Sequence, residues 1–150
     1  MNAAHLHLAI NHLPLALPIA ALIILVIALI YRSGLVMRSA YALLVVSAIS
    51  AFITMASGDK AEDMVEDKAG ISEEHIEEHE EAAESFAFLS YGVGLVAIIG
   101  LWASWREKSF ARWIAWATIA MILVQLLLGM RAGESGGEIN HPEIHSSEQA

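Results

Sequence analysis

The sequence predicts an all-α fold, an integral membrane four-helix bundle, and three observations carry that expectation. First, the chain is 57% hydrophobic yet bears a formal charge of −9 over its 150 residues, with a mean hydropathy of +0.56. So much apolar side chain cannot all be hidden in one small soluble core. Second, apolar and charged residues are segregated along the chain. Runs 13–31, 39–56, 86–105 and 113–130 hold no charged residue, and each is close to the roughly 20 apolar residues that cross a hydrocarbon core. Third, these runs lack the period-two alternation of transmembrane strands.

Residues 1–12 form a short uncharged segment that ends in "INHLP". Pro14 and Pro18 fall in the first turns of helix one, where a missing N–H costs least. The N-terminus lacks a basic n-region and its apolar run is a full span, so helix one is expected to act as an uncleaved anchor. The turn around Gly34 joins helices one and two as an antiparallel hairpin. Helix two is expected to end at "MASGD" with Gly58 as its C-cap. The stretch "DKAEDMVEDKAG" can form a short amphipathic helix, with Ala61, Met64, Val65 and Ala69 on one side, closing at Gly70. Ser72 reads as the N-cap of helix three, with Glu73 and Glu74 in a first turn whose dipole favours acids. No breaker follows before Trp105, so helix three runs about 33 residues, or about 50 Å, and extends beyond the membrane. The expected domains are thus residues 1–12, a bundle over 13–131 with an acidic loop at 57–85, and a Gly- and Ser-rich flexible tail over 132–150. The chain has no cysteine, which excludes disulfides, thiolate metal sites, iron–sulfur clusters and covalent c-type haem attachment.

Charge asymmetry predicts the orientation. Of the 8 Lys and Arg, Arg32, Arg38, Arg106, Lys108 and Arg112 lie in two short loops, while Lys60, Lys68 and Arg131 are diluted over the other side. The positive-inside rule makes the short basic loops cytoplasmic. Both termini and the 57–85 loop then face outward, towards the periplasm if the chain sits in a bacterial inner membrane. Trp102, Trp105, Trp113 and Trp116 flank the cytoplasmic loop between helices three and four as an interfacial belt would. All 7 histidines fall on the outer side: His5, His7 and His12 before helix one, His75 and His79 before helix three, and His141 and His145 after helix four.

Imidazole is the commonest biological metal ligand and the usual axial ligand of b-type haem. His12, His75, His79 and His7 gather on one side of the expected bundle, bordered by Glu62, Glu66 and Glu78. His75 and His79, four residues apart, can grip one ion from one helix face, and Glu62 and Glu66 can add hard oxygen ligands. A haem clamped between His12 on helix one and His79 on helix three is the competing arrangement. Small residues (Ala82, Ala83, Gly92, Gly94) would give the ring room, and Arg131 could meet a propionate. Against both stands the plain reading that histidine in an acidic helix is solvated surface. Of the two helix-three histidines, His79 is the expected ligand, because it lies one turn nearer the apolar junction and shares a stripe with Ala83 and Phe86.

The segment "HLAINHLP", with His7, His12 and Pro14, resembles the opening H-x-x-x-x-H-x-P motif of a family of small four-span bacterial membrane proteins, domain of unknown function 2231. The stretch "SGDKAEDMVEDKAGISEEHIEEHEEAAE" resembles its second signature, a Gly shortly before an Ala, then an acidic segment and a His–Glu pair ahead of helix three. The likeness covers roughly residues 7–131. Leu8 stands where the family often has Pro, and Leu13 where it often has Phe. The resemblance implies a four-helix membrane fold and makes His7, His12 and His79 the functional set. It supplies no activity, and its similarity in arrangement to small b-type cytochromes is analogy.

Three functions fit these residues. One is a redox subunit that binds b-type haem near the outer face and passes electrons within a respiratory complex. Another is an outer-face protein for Cu, Zn or Fe. In the segment from Asp59 to Glu84 twelve acids face only Lys60 and Lys68, which would concentrate cations. The last is a structural subunit without cofactor, whose acidic face docks a basic partner such as a soluble electron carrier. Transport and stand-alone enzymology are less expected: the spans offer only Gln125 and a few hydroxyls, and no nucleophile–base pair is visible. Lipid and other membrane subunits are the expected surroundings, and nucleic acid is not an expected partner.

Overall fold

The computed structural model describes residues 10–62 and 73–140. The described residues are all-helical, in four helices: α1 (Leu13–Ile30), α2 (Gly34–Glu62), α3 (Glu73–Trp105) and α4 (Ala111–Asn140). Each is long and apolar enough to cross a membrane. α1 packs on α2, α2 on α3 and α3 on α4, and α4 closes back onto α1. Successive helices therefore alternate in direction around one bundle. The starts of α1 and α3 and the finishes of α2 and α4 share an acidic end. The short connections at 31–33 and 106–110 share the basic end.

Two helices run further than the sequence alone leads one to expect. Gly58 does not cap α2, which continues to Glu62. One glycine inside a helix costs about 1 kcal/mol, and Lys60, Ala61 and Glu62 all favour helix. Residues 63–72, which hold most of the expected amphipathic segment and the Ser72 cap, lie outside the described residues. α4 likewise passes residue 131 and runs through Gly133, Gly136 and Gly137 to Asn140, so the expected flexible tail begins as helix.

Apolar side chains gain little by leaving a hydrocarbon solvent, so membrane helices associate through close packing at small residues and internal hydrogen bonds. That pattern is present here. Large apolar residues such as Ile23, Phe52, Phe88 and Leu95 point outward, while Leu25, Tyr41, Leu44, Val93 and Ile122 form the core. Gly100 receives the ring of Tyr41, which a Cβ would overlap, and a Cβ at Gly94 would lie 2.5 Å from that of Ala48. Leu15 of α1 and Phe86 of α3 both close on Gly129 of α4.

Backbone groups left open by the sequence are completed across helices. Pro18 has no N–H to give the Pro14 carbonyl, and the Ser47 hydroxyl of α2 donates to it instead, at 3.2 Å. At the basic end α1 and α3 finish alike. Ser33 N–H donates to the Ala28 carbonyl at 3.0 Å and Lys108 N–H to the Ala103 carbonyl at 2.9 Å. Between donor and helix stand Arg32 at φ 52° and Glu107 at φ 49°. These are Schellman closures with side-chain-bearing residues where glycine is the usual occupant.

Two stability effects are expected. Ser47→Ala should cost about 1 kcal/mol by orphaning a buried carbonyl, and less when combined with Pro18→Ala, which restores the helix's own donor. A double-mutant cycle in detergent unfolding measures that coupling, and strict additivity would break the link between the two residues. Glu107→Gly should raise stability by up to about 1 kcal/mol, because glycine takes a left-handed backbone without penalty. The same unfolding midpoint reads it.

Candidate functional site at the acidic end

The structure holds His79 in place from a second helix. Its side chain is half-buried, and Nδ1 lies 3.1 Å from the Ser135 hydroxyl of α4. The ring edge rests on Gly136, where a Cβ would stand 3.0 Å from Cε1. Ser135 is itself buried, and its hydroxyl reaches the Arg131 carbonyl at 3.1 Å. Ser135 and Gly136 belong to the part of α4 that the sequence reads as tail. The contact repeats one heptad lower, where Phe86, seven residues after His79, sits on Gly129, seven residues before Gly136. The stripe expected on α3 is thus an α3–α4 seam of rings against glycines.

A polar pair continues the seam below Phe86. Gln125 Nε2 donates to the Ser90 hydroxyl at 2.8 Å, and Ser90 donates to the Phe86 carbonyl at 2.8 Å. Gln125 is almost wholly buried, and its Oε1 has no hydrogen-bond partner. The sequence singles out Gln125 as the polar side chain of the spans but gives it no partner. The seven-residue spacing of Gly129 and Gly136 against that of His79 and Phe86 is the signal that would have found the seam.

The other expected site residues are dispersed. His12 is the N-cap of α1 and has an exposed side chain. It contributes through its carbonyl, which accepts from Ala16 N–H at 2.9 Å. Beside it the side-chain oxygen of Asn11 is buried with no hydrogen-bond partner. Arg131 and Glu78 are exposed. Glu62 ends α2 and His75 lies in the first turn of α3. His5, His7, Glu66, His141 and His145 fall outside the described residues. Among the described residues no group of three or more His, Asp or Glu side chains is placed to hold a metal ion.

Two of the small residues of α3 face side chains of neighbouring helices. Gly94 is filled by Ala48, and Gly92 faces the Met121 methyl, which a Cβ would meet at 3.7 Å. A groove of about 470 Å³ opens beside Met55, Glu84, Phe88 and Tyr91, and among the described residues no histidine lines it.

Comparisons of the chain with family models, with curated proteins and with solved structures find no match.

Gly136→Val is expected to push the imidazole off Ser135 and to cost about 1 kcal/mol for the lost hydrogen bond. Imidazole ¹⁵N signals of the purified protein report the displacement, and a His79 signal unmoved by the substitution would contradict the contact.

Proposed function

We propose that this protein is a multi-pass subunit of a bacterial inner membrane, redox-active or accessory to a respiratory assembly, and that His79 at its periplasmic end ligates the redox group. The observation that supports this is the Ser135 contact, which holds the His79 ring between two helices. An imidazole fixed through Nδ1 loses less conformational freedom on binding a ligand than a solvated one. With the Ser135 hydroxyl donating to Arg131 and accepting from Nδ1–H, the lone pair lies on Nε2, the form that ligates metals.

Haem b is the first reading of the group, with His12 as second ligand and Arg131 available to a propionate. It would supply one-electron redox chemistry. In the bundle interior Leu15 and Phe86 close on Gly129, and Gly94 and Gly100 are occupied by Ala48 and Tyr41. The group would therefore sit at the rim, above Phe86. That same closure favours a second reading, a bare Cu, Zn or Fe ion held by His79 with Glu78, His75, His12 or His7, because an ion needs no slot. The exposed carboxylates of Glu77, Glu78, Glu80, Glu81 and Glu84 suit a basic soluble carrier under either reading.

The test is the protein purified mildly from haem-replete cells, examined by absorption and by elemental analysis. A Soret band that sharpens on reduction supports haem, and a stoichiometric transition metal without it supports the ion. His79→Ala is expected to remove either group, and His75→Ala to leave most of it. Binding should weaken on acidification, since only neutral imidazole ligates. A preparation with neither haem nor metal, or one in which His79→Ala changes nothing, overturns the proposal and leaves a subunit that only docks its partner.

A further inference from the structure

The basic end of the bundle has no role in the function proposed above. There a cavity of about 380 Å³ opens where α1 and α3 finish and α2 and α4 begin. Arg32, Arg38, Lys108 and Arg112 line it, and among the described residues Glu107 is the one acid that does so. An excess of cations on one side of a membrane protein is ordinary topology. Several features separate this cavity from that background.

The cations converge on a concave surface and are not merely scattered over the loops. Arg106, in the same connection as Lys108, does not line the cavity. Two of the lining residues, Arg32 and Glu107, are those held at φ 52° and φ 49°, where a side chain costs energy that glycine would not. The backbone thus bears a strained conformation at two charged residues of one cavity. Arg38 is half-buried, and the Lys108 ammonium stands 5.6 Å from the centre of the Trp102 ring, so both are restrained before any ligand arrives. Gly34 and Ala111, the first residues of α2 and α4, also line the cavity, and neither helix has an acid in its first turn. The finishes of α1 and α3 meet the same cavity, so the helix dipoles there offset one another and the positive potential comes from the four side chains.

Depth selects the ligand. Tyr31, Trp105 and Trp113 are 77%, 71% and 77% exposed around this end, and amphipathic aromatics on membrane proteins settle at headgroup level. The cavity is therefore at the height of the lipid phosphates. Guanidinium groups match phosphate oxygens in pairs and are weakly hydrated, which suits a partly enclosed site. We propose that this cavity binds a phosphate-bearing anion, supplied in the membrane by the headgroup of an acidic phospholipid.

The experiment uses the full chain in nanodiscs of neutral phosphatidylcholine. In one arm phosphatidylglycerol is titrated into the discs, and in the other inorganic phosphate is added to the solution. Bound lipid is counted by native mass spectrometry, and the melting temperature is followed in both arms. One saturable equivalent of phosphatidylglycerol is expected. Each lining cation contributes about fivefold to affinity, so Arg38→Gln with Arg112→Gln should weaken binding about 25-fold. Arg106→Gln, which removes an equal charge outside the cavity, should change it less than about twofold. Glu107→Gln removes the opposing carboxylate and should tighten binding about fivefold. This gain cannot come from misfolding. Saturation by inorganic phosphate alone, with the same pattern of variants, would support the site and assign it to a soluble phosphate. Equal losses from Arg106→Gln and the lining variants, or no saturable binding in either arm, would overturn the proposal.

Discussion

The close approach of α3 to its neighbours is the contact on which the rest of the bundle depends. In water, four apolar helices would be driven together by the area they hide. Against lipid that drive is absent, and only packing and internal polar contacts distinguish one arrangement from another. Here the selective contacts are at glycine. Gly94 and Gly100 let α2 press on α3 through Ala48 and Tyr41, and Gly129 takes Leu15 and Phe86 on α4. At Gly94 a single methyl group would meet the Cβ of Ala48, which moves only with its helix, while at Gly100 and Gly129 it would displace the side chains seated there. The register they set brings Ser90 opposite Gln125 and the Ser47 hydroxyl onto the Pro14 carbonyl.

The same seam explains why structure persists beyond the apolar spans. The end of α4 contains Gly133, Gly136 and Gly137, each costing about 1 kcal/mol relative to alanine in a helix. Alone it would favour coil. Beside it α3 continues as a glutamate-rich helix, and the His79 ring seats on Gly136 and Ser135. The glycine that weakens the helix also makes room for the ring. Each projection thereby gives the other a packing surface, and a histidine that would otherwise be solvated becomes a fixed group.

The two ends of the bundle contrast in how they hold charge. At the acidic end carboxylates line the exposed faces of α3, and of the His12 and His79 side chains only that of His79 is packed. At the basic end the chain turns twice through tight Schellman closures, and those turns bring cations from both connections to one concavity. The first geometry spreads charge along an exposed surface. The second gathers it around a small volume.

Much of this molecule is legible in the sequence because a bilayer constrains the chain so strongly. Four uncharged runs must be helices, since no other open structure satisfies its backbone in hydrocarbon. The start of helix one behind His12, the hairpin at Gly34 and the run of α3 from Glu73 to Trp105 follow from local rules of capping and breakers. That packing can hold the His79 ring could be argued from one stripe on one helix. Which partner packs it could not. Ser135 lies 56 residues away, in a stretch whose composition reads as a loose tail, and only the antiparallel register of α3 and α4 turns those glycines into a seat for a ring. Ala48 occupies the space at Gly94 for the same reason: a missing side chain marks space along one helix, and the neighbouring helix decides what fills it. Local sequence determined where helices are and which face is apolar, because those depend on residues within a turn or two. Tertiary structure decided which polar groups are held and where charge converges, because those depend on residues that meet only when the bundle closes.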